Sequence, residues 1–208
     1  METHAFICAG PKVEADWLTF GFGPATPDPL PGTTRALIVW SQRVSASNAP
    51  NWGRYMAAKR AGAKLIVVDP VRTPEAKAAD LWLPIRPGTD AALAMGLINI
   101  IIRENLYAAD FVAEHTSGFE LLAKRAEAFD VARVSRITGL AEPDILRCAH
   151  LYADGPSVIS TGLVNGMGRN ALNFERARAC LVAICGNVDR PGGNRLYGGP
   201  ELTRTKTD

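Results

Sequence analysis

The chain has 208 residues, a formal net charge of +2, 47% hydrophobic and 21% charged residues. That length suits one large domain or two small ones and should bury roughly 70% of the unfolded surface, so no covalent or metal staple is needed. The near-neutral charge gives no electrostatic case for nucleic acid or a membrane surface as partner; the four cysteines form no CxxC, so no zinc-ribbon or iron–sulfur signature is present, and nothing suggests a disulfide framework.

The first 35 residues read as an irregular N-terminal arm, with "GFGPATPDPLPGTT" (21–34) a proline-rich loop and no signal-peptide pattern ahead of it. "ALIVW" (36–40) is an apolar run of strand length, followed by a serine-rich loop and a helix over about 51–61. "KLIVVD" (64–69) is a second such strand and "LWLPI" (81–85) a short third, which Pro84 moves towards a sheet edge or a strand end. A helix from Asp90 to about Tyr107 is apolar almost all round and therefore sandwiched; it is too short to span a bilayer. Residues 109–154 are helical in pieces, with "SGFE" (117–120) as a capping box and Pro143 in a first turn. "SVIST" (157–161) is a fourth strand, then come a glycine-rich loop and a helix over about 171–185; the tail 197–208 reads as disordered.

Strands without alternation, each followed by a helical pattern, predict a three-layer α/β/α, Rossmann-like parallel sheet over residues 36–196. Ligands of such sheets bind outside the carboxyl ends of the strands, which directs attention to residues 41–48, 69–73, 86–90 and 162–170. Ser41, Ser45 and Ser47 with Arg43 could hold phosphate oxygens, or could simply form a solvated, serine-capped loop. Asp69 could accept both hydroxyls of a ribose, or serve only as a turn residue before Pro70. In "RPGTD" (86–90), Pro87-Gly88 makes a turn, Thr89 caps the next helix and Asp90 lies in its first turn. Asp90 could serve the helix dipole alone; it could also face the rim of Asp69 and accept from the Watson–Crick donors of guanine. Two carboxylates with Arg72 and Arg86 at one sheet edge suggest a nucleotide pocket. "GFG" (21–23) follows no strand and is no dinucleotide fingerprint.

Cys148, Cys180 and Cys185 read as packing residues, His150 as solvated, His115 as a residue before a cap and His4 as part of the arm. Cys8 stands in a loop before Gly-Pro; a lone cysteine is more often a small buried hydrophobe than a ligand, and spacing does not overturn that.

Taken in order, "C-x-G-P" at Cys8, the strand ending near Ser41, "GAKLIVVDPVRT", "AADLWLPIRPGTDAAL", "IIRENLYAADFVAEHTSGFE", "ITGLAEPDI" and "CGNVDRPGGN" resemble the molybdopterin oxidoreductase family, which includes dimethyl sulfoxide reductase, formate dehydrogenase and periplasmic nitrate reductase. The resemblance implies a bis(molybdopterin guanine dinucleotide) cofactor carrying molybdenum or tungsten, and two-electron redox chemistry, often oxygen-atom or sulfur transfer. It makes Cys8 the catalytic metal ligand, since a soft thiolate suits such a metal. It makes Ser41, Gln42, Arg43, Ser47, Asp69, Arg72, Thr73, Arg86, Gly88, Thr89 and Asp90 the cofactor-binding set, with phosphates at 41–48 and ribose and guanine at Asp69 and Asp90.

Departures are visible. The family's Gly-x-Asn-Pro is here Ser41-Gln42-Arg43-Val44, its Asp-Pro-Arg is Asp69-Pro70-Val71, and Ala9 stands where formate dehydrogenases carry histidine. Family subunits are several times longer, so the resemblance implies one domain of a larger enzyme, inactive alone, gripping one cofactor arm. Its implied partners are the remaining domains, an electron-transfer subunit and a small-molecule substrate, with no nucleic acid and no membrane insertion. Any 4Fe-4S cluster would lie upstream, none in this chain. The compartment is open, the cytoplasm being the default without a visible signal peptide. Rival readings are a tungsten acetylene-hydratase-like enzyme without redox, and a nucleotide-binding or nicotinamide module without metal.

Overall fold

The computed structural model describes residues 8–168 and 170–196; the expected tail lies outside them. In chain order the elements are α1 (Gly10–Phe20), β1 (Ala25–Pro27), β2 (Ala36–Trp40), α2 (Val44–Ser47), α3 (Ala49–Arg60), β3 (Lys64–Val68), α4 (Pro74–Ala78), β4 (Leu81–Leu83), α5 (Asp90–Arg103), α6 (Ala109–His115), α7 (Phe119–Ala126), α8 (Val131–Thr138), α9 (Glu142–Ala153), β5 (Ser157–Thr161), a 3₁₀ turn (Leu163–Met167), α10 (Ala171–Ile184) and β6 (Asn194–Leu196).

Four strands form a parallel sheet in the order β4-β3-β2-β5. Their unbroken apolar runs leave no face fit for water, so helices cover both sides. Ile38, Trp40, Ile66 and Val68 point into a core closed by α5, α8, α9 and α10 through Leu97, Val134, Tyr152 and Leu181. Leu37, Val39, Leu65 and Val67 point the other way, onto Val44 of α2, Tyr55 and Ala58 of α3 and Ala76 of α4. Each such side chain, fully buried, contributes about 1.5–3 kcal/mol. The three-layer α/β expectation holds, and β4 is indeed an edge strand that stops one residue before Pro84.

The expectation of irregular structure up to residue 35 does not hold. Residues 10–20 form α1, and β1 pairs antiparallel with β6. The helix is hidden from sequence patterning because its large apolar residues do not share a buried face: Trp17 and Leu18 are more than half exposed, while Ala15 and Asp16 are buried. Asp16 instead bonds to Arg178 of α10.

Smaller expectations are also corrected. The capping box at Ser117 is out of register by one residue, because Gly118 takes the N-cap position of α7 at φ 79° and no side chain caps it. Thr89 precedes α5 without capping it, its hydroxyl donating to the Arg86 carbonyl at 2.6 Å. α5 ends at Arg103, two residues before Asn105 turns left-handed at φ 55°. Among the described residues no helix is long and apolar enough to cross a membrane.

Candidate functional site

The carboxyl ends of the parallel strands carry two polar groups, one on each face of the sheet. On the α3/α4 side, Ser41 leaves β2 at φ 49°, its N–H donating to the Val68 carbonyl at 2.8 Å. Gly162 packs against it so closely that a Cβ there would stand 1.9 Å from the Ser41 carbonyl oxygen, which only glycine permits. Gln42 accepts from the Ser160 hydroxyl at 2.5 Å, and Ser47 donates to the Arg43 carbonyl at 2.8 Å. The loop is pinned by a residue that sequence reasoning missed. Glu75 is fully buried, and its Oε1 accepts the Ser45 N–H at 2.7 Å while Arg43 Nε stands 3.8 Å from Oε2. Burial pushes the Glu75 carboxyl up, but hydrogen bonds from Ser45 and Thr73 outweigh it and hold the group below the usual carboxylate range. A glutamate in the first turn of α4 looks in sequence like a dipole complement, so nothing marked it.

Asp69 is almost buried. Its Oδ1 accepts the Val71 N–H at 2.8 Å, and its carbonyl accepts the Trp82 indole at 2.9 Å. The Arg72 guanidinium lies over Trp82, 5.7 Å from the ring centroid, and Thr73 caps α4 through the Ala76 N–H at 3.2 Å.

On the α5/α10 side, Asp90 Oδ1 accepts from the Trp40 indole at 2.8 Å and from Asn165 Nδ2 at 3.2 Å. Trp40 is fully buried and packs on Phe174, with ring centroids 4.9 Å apart. Asp90, Gly88, Asn165, Asn170 and Phe174 line a cavity of about 330 Å³. Gly88 turns at φ 80°, as its place in "RPGTD" required. Arg86 is occupied elsewhere, its Nη1 donating to the carbonyls of Arg136 and Ile137 at the end of α8. Asp69 and Asp90 therefore share the carboxyl edge but bond to opposite layers of the fold; Trp40 joins the site as a residue no sequence pattern had singled out, and Asn165 comes from the stretch 162–170 to which the strand-end rule pointed.

Cys8 lies in the helical turn just before α1, not in an irregular loop, and is half-buried. Its carbonyl abuts Gly166 in the loop after β5, where a Cβ would come within 2.5 Å. It thus stands beside the loop that carries Asn165. Cys148 and Cys185 belong to the core, where burial pushes each thiol up to about 12, and burial raises Cys180 as well. His150 is exposed and pairs with Glu104 at 2.6 Å. Among the described residues no three His, Cys, Asp or Glu side chains cluster as a metal site.

A parallel four-stranded sheet with helices on both faces defines a doubly covered α/β domain, a class whose ligands bind at the carboxyl edge. A family model described as molybdopterin oxidoreductase matches residues 34–198, and the chain belongs to that family. It is 32% identical over 191 residues to the probable oxidoreductase YoaE of Bacillus subtilis, covering 91% of this chain and 28% of that protein. It is 41% identical over 145 residues to the acetylene hydratase of Syntrophotalea acetylenica, covering 69% of this chain and 20% of that enzyme. The solved acetylene hydratase from Pelobacter acetylenicus superposes with a TM-score of 0.81 at 33% identity, over 89% of this chain and 25% of that one. The chain therefore spans about a quarter of the length of these relatives.

Proposed function

We propose that this chain is the cofactor-binding domain of a larger molybdenum or tungsten enzyme that uses bis(molybdopterin guanine dinucleotide). The observation that carries the reading is Asp90: Trp40 and Asn165 both hold Oδ1, no described residue donates to Oδ2, and the carboxylate lines a cavity. A carboxylate so fixed accepts from the N1–H and exocyclic amine of guanine. Asp69, with one oxygen committed to Val71, keeps the other for a ribose hydroxyl. The loop from Ser41 to Ser47, with Arg43, faces the phosphates; because α2 has only four residues, side chains and loop N–H groups, not a helix dipole, do that work. Cys8 supplies the metal ligand from the loop-proximal end of α1. When bound, the cofactor supplies two-electron redox at its metal, commonly as oxygen-atom or sulfur transfer. The chain alone offers residues for one cofactor arm and is inactive. Ala9, in place of the histidine that the family's formate dehydrogenases carry, disfavours formate as substrate.

Calorimetric titration of the chain with GDP, with ADP and NAD as controls, tests this. GDP binds selectively, and Asp90→Ala weakens it by about tenfold or more, as loss of a charge-assisted hydrogen bond requires. Preference for NAD would transfer the chain to the nicotinamide class.

A second reading, non-redox hydration, is favoured by the similarity to acetylene hydratase in sequence and in structure. Electron paramagnetic resonance on the full-length enzyme during turnover separates the two, since only redox cycling generates the pentavalent metal.

A further inference from the structure

Helix α1 is seated against the logic of its own side chains. Val13, Trp17 and Leu18 are at least a third exposed, whereas Asp16, a carboxylate, is turned inward at 0% exposure. Hydrophobicity alone would select the opposite rotation of this helix. What meets Asp16 is Arg178 of α10, also 0% exposed: its Nη2 bonds to Asp16 Oδ1 and its Nε to Glu175 Oε2 at 2.6 Å. Asp16 Oδ2 accepts the Ala25 N–H of β1 at 3.2 Å, and Lys12 Nζ lies 3.5 Å away. Arg178 Nη1 is buried with no partner, so the cluster is not arranged for greatest stability.

Replacing a buried ionic cluster by apolar side chains is often neutral or stabilising, and the best-attested use of such a cluster is to specify one arrangement among several. Apolar contacts tolerate sliding and rotation; a guanidinium bonded to two carboxylates through separate nitrogens does not. The feature at stake is the turn preceding α1, because it carries Cys8 against Gly166 at the carboxyl edge of the sheet.

We propose that Asp16, Arg178 and Glu175 are positioning residues for Cys8, fixing the rotation and axial register of α1 on α10 so that the thiol is held beside the loop after β5. The purpose of the device rests on the reading of Cys8 as metal ligand; its geometry does not.

The test uses the 208-residue chain without metal. Alkylation of Cys8 by N-ethylmaleimide is followed by mass spectrometry, with the buried Cys148 on α9, remote from the charge changes, as internal reference. The variant Asp16→Asn/Glu175→Met/Arg178→Met, which removes the charges and keeps an acceptor for Ala25, should fold; its Cys8-to-Cys148 rate ratio should rise about tenfold as local opening becomes easier. Its tryptophan emission should shift to the blue as Trp17 turns inward, a shift absent when Trp17→Phe is added. A purely structural cluster would instead lower the melting temperature and speed both thiols together, and a ratio within about twofold of the parent in the folded variant overturns the proposal.

Arg178→Lys decides the matter if the triple variant does not fold. One ammonium cannot hold both carboxylates through separate nitrogens, so the ratio rises, and an unchanged ratio again overturns the proposal. Failure of Cys8 as a metal ligand would appear only in a Cys8→Ala full-length enzyme, which keeps the two failures apart.

Discussion

Glu75 shows how much of this site depends on a residue that binds nothing itself. Its carboxyl is buried, and burial alone would raise it; the Ser45 and Thr73 hydrogen bonds reverse the sign and leave it below the ordinary value of about 4.3. A carboxyl lowered by folding stabilises the folded state above that ordinary value, and the contribution disappears as pH falls through the lowered one. Glu75→Gln keeps an acceptor for the Ser45 N–H but no charge. Urea denaturation should find it less stable than the parent at pH 7, with the two curves converging in acid; a constant gap across the acid limb would show that charge is not the cause. Arg43 adds little, since its side chain is 57% exposed and stands 3.8 Å away. Asp69 and Asp90 were legible as candidates because both follow strands at the carboxyl edge, where ligands of parallel sheets bind. Glu75 and Trp40 were not, because each looks ordinary in its own element and acquires its role only from a partner at least 30 residues away, and Asn165 was narrowed only to the stretch 162–170, its partner Asp90 lying 75 residues off.

At the scale of elements, the free edge of β5 is the point to explain. An edge strand exposes a row of unpaired N–H and C=O groups. Here Asn194 acts as a substitute strand: its Oδ1 accepts the Ile159 N–H at 3.0 Å and its Nδ2 donates to the Ile159 carbonyl at 2.9 Å. Asn187 accepts the Ser157 N–H at 3.0 Å in the same manner. Both asparagines are fully buried. This gives "CGNVDRPGGN" a physical purpose that the motif alone did not disclose. Asn194→Ala leaves two buried backbone groups without partners, so unfolding free energy should fall by about 2–4 kcal/mol in urea denaturation. A loss no larger than that of a surface substitution would mean that water or β6 seals the edge instead. The helices and strands of the sheet were readable because periodicity and β-branched runs are local. α1 was not, since its buried face carries Asp16, whose partner Arg178 lies 162 residues away.

At the scale of the whole molecule, the chain corresponds to about a quarter of the relatives it matches. The 3₁₀ turn whose Gly166 abuts Cys8 carries exposed Leu163, Val164 and Met167, and Trp17 and Leu18 are exposed further along α1. On the proposed function, Cys8 is this chain's contribution to a metal whose other ligands come from elsewhere. Cys8→Ala in the full-length enzyme should therefore retain metal and cofactor yet lose one sulfur from the metal's coordination shell in X-ray absorption. An unaltered shell would remove Cys8 from the metal.

By itself the sequence determined the class of fold and the family, and it directed attention to the carboxyl edge of the sheet. Continuous apolar strands alternating with helical segments point to a doubly covered parallel sheet, and the ordered series of short motifs points to one family. Tertiary structure decided the rest: that Asp69 and Asp90 bond to opposite layers, that Arg86 caps α8, that Glu75 pins the serine loop, and that α1 exists and which way it faces. The division follows the range of the interactions. Periodicity and turn chemistry act over a few residues and are written in order along the chain, whereas a buried carboxylate or guanidinium takes its meaning from groups up to 162 residues away that only the folded chain brings to it.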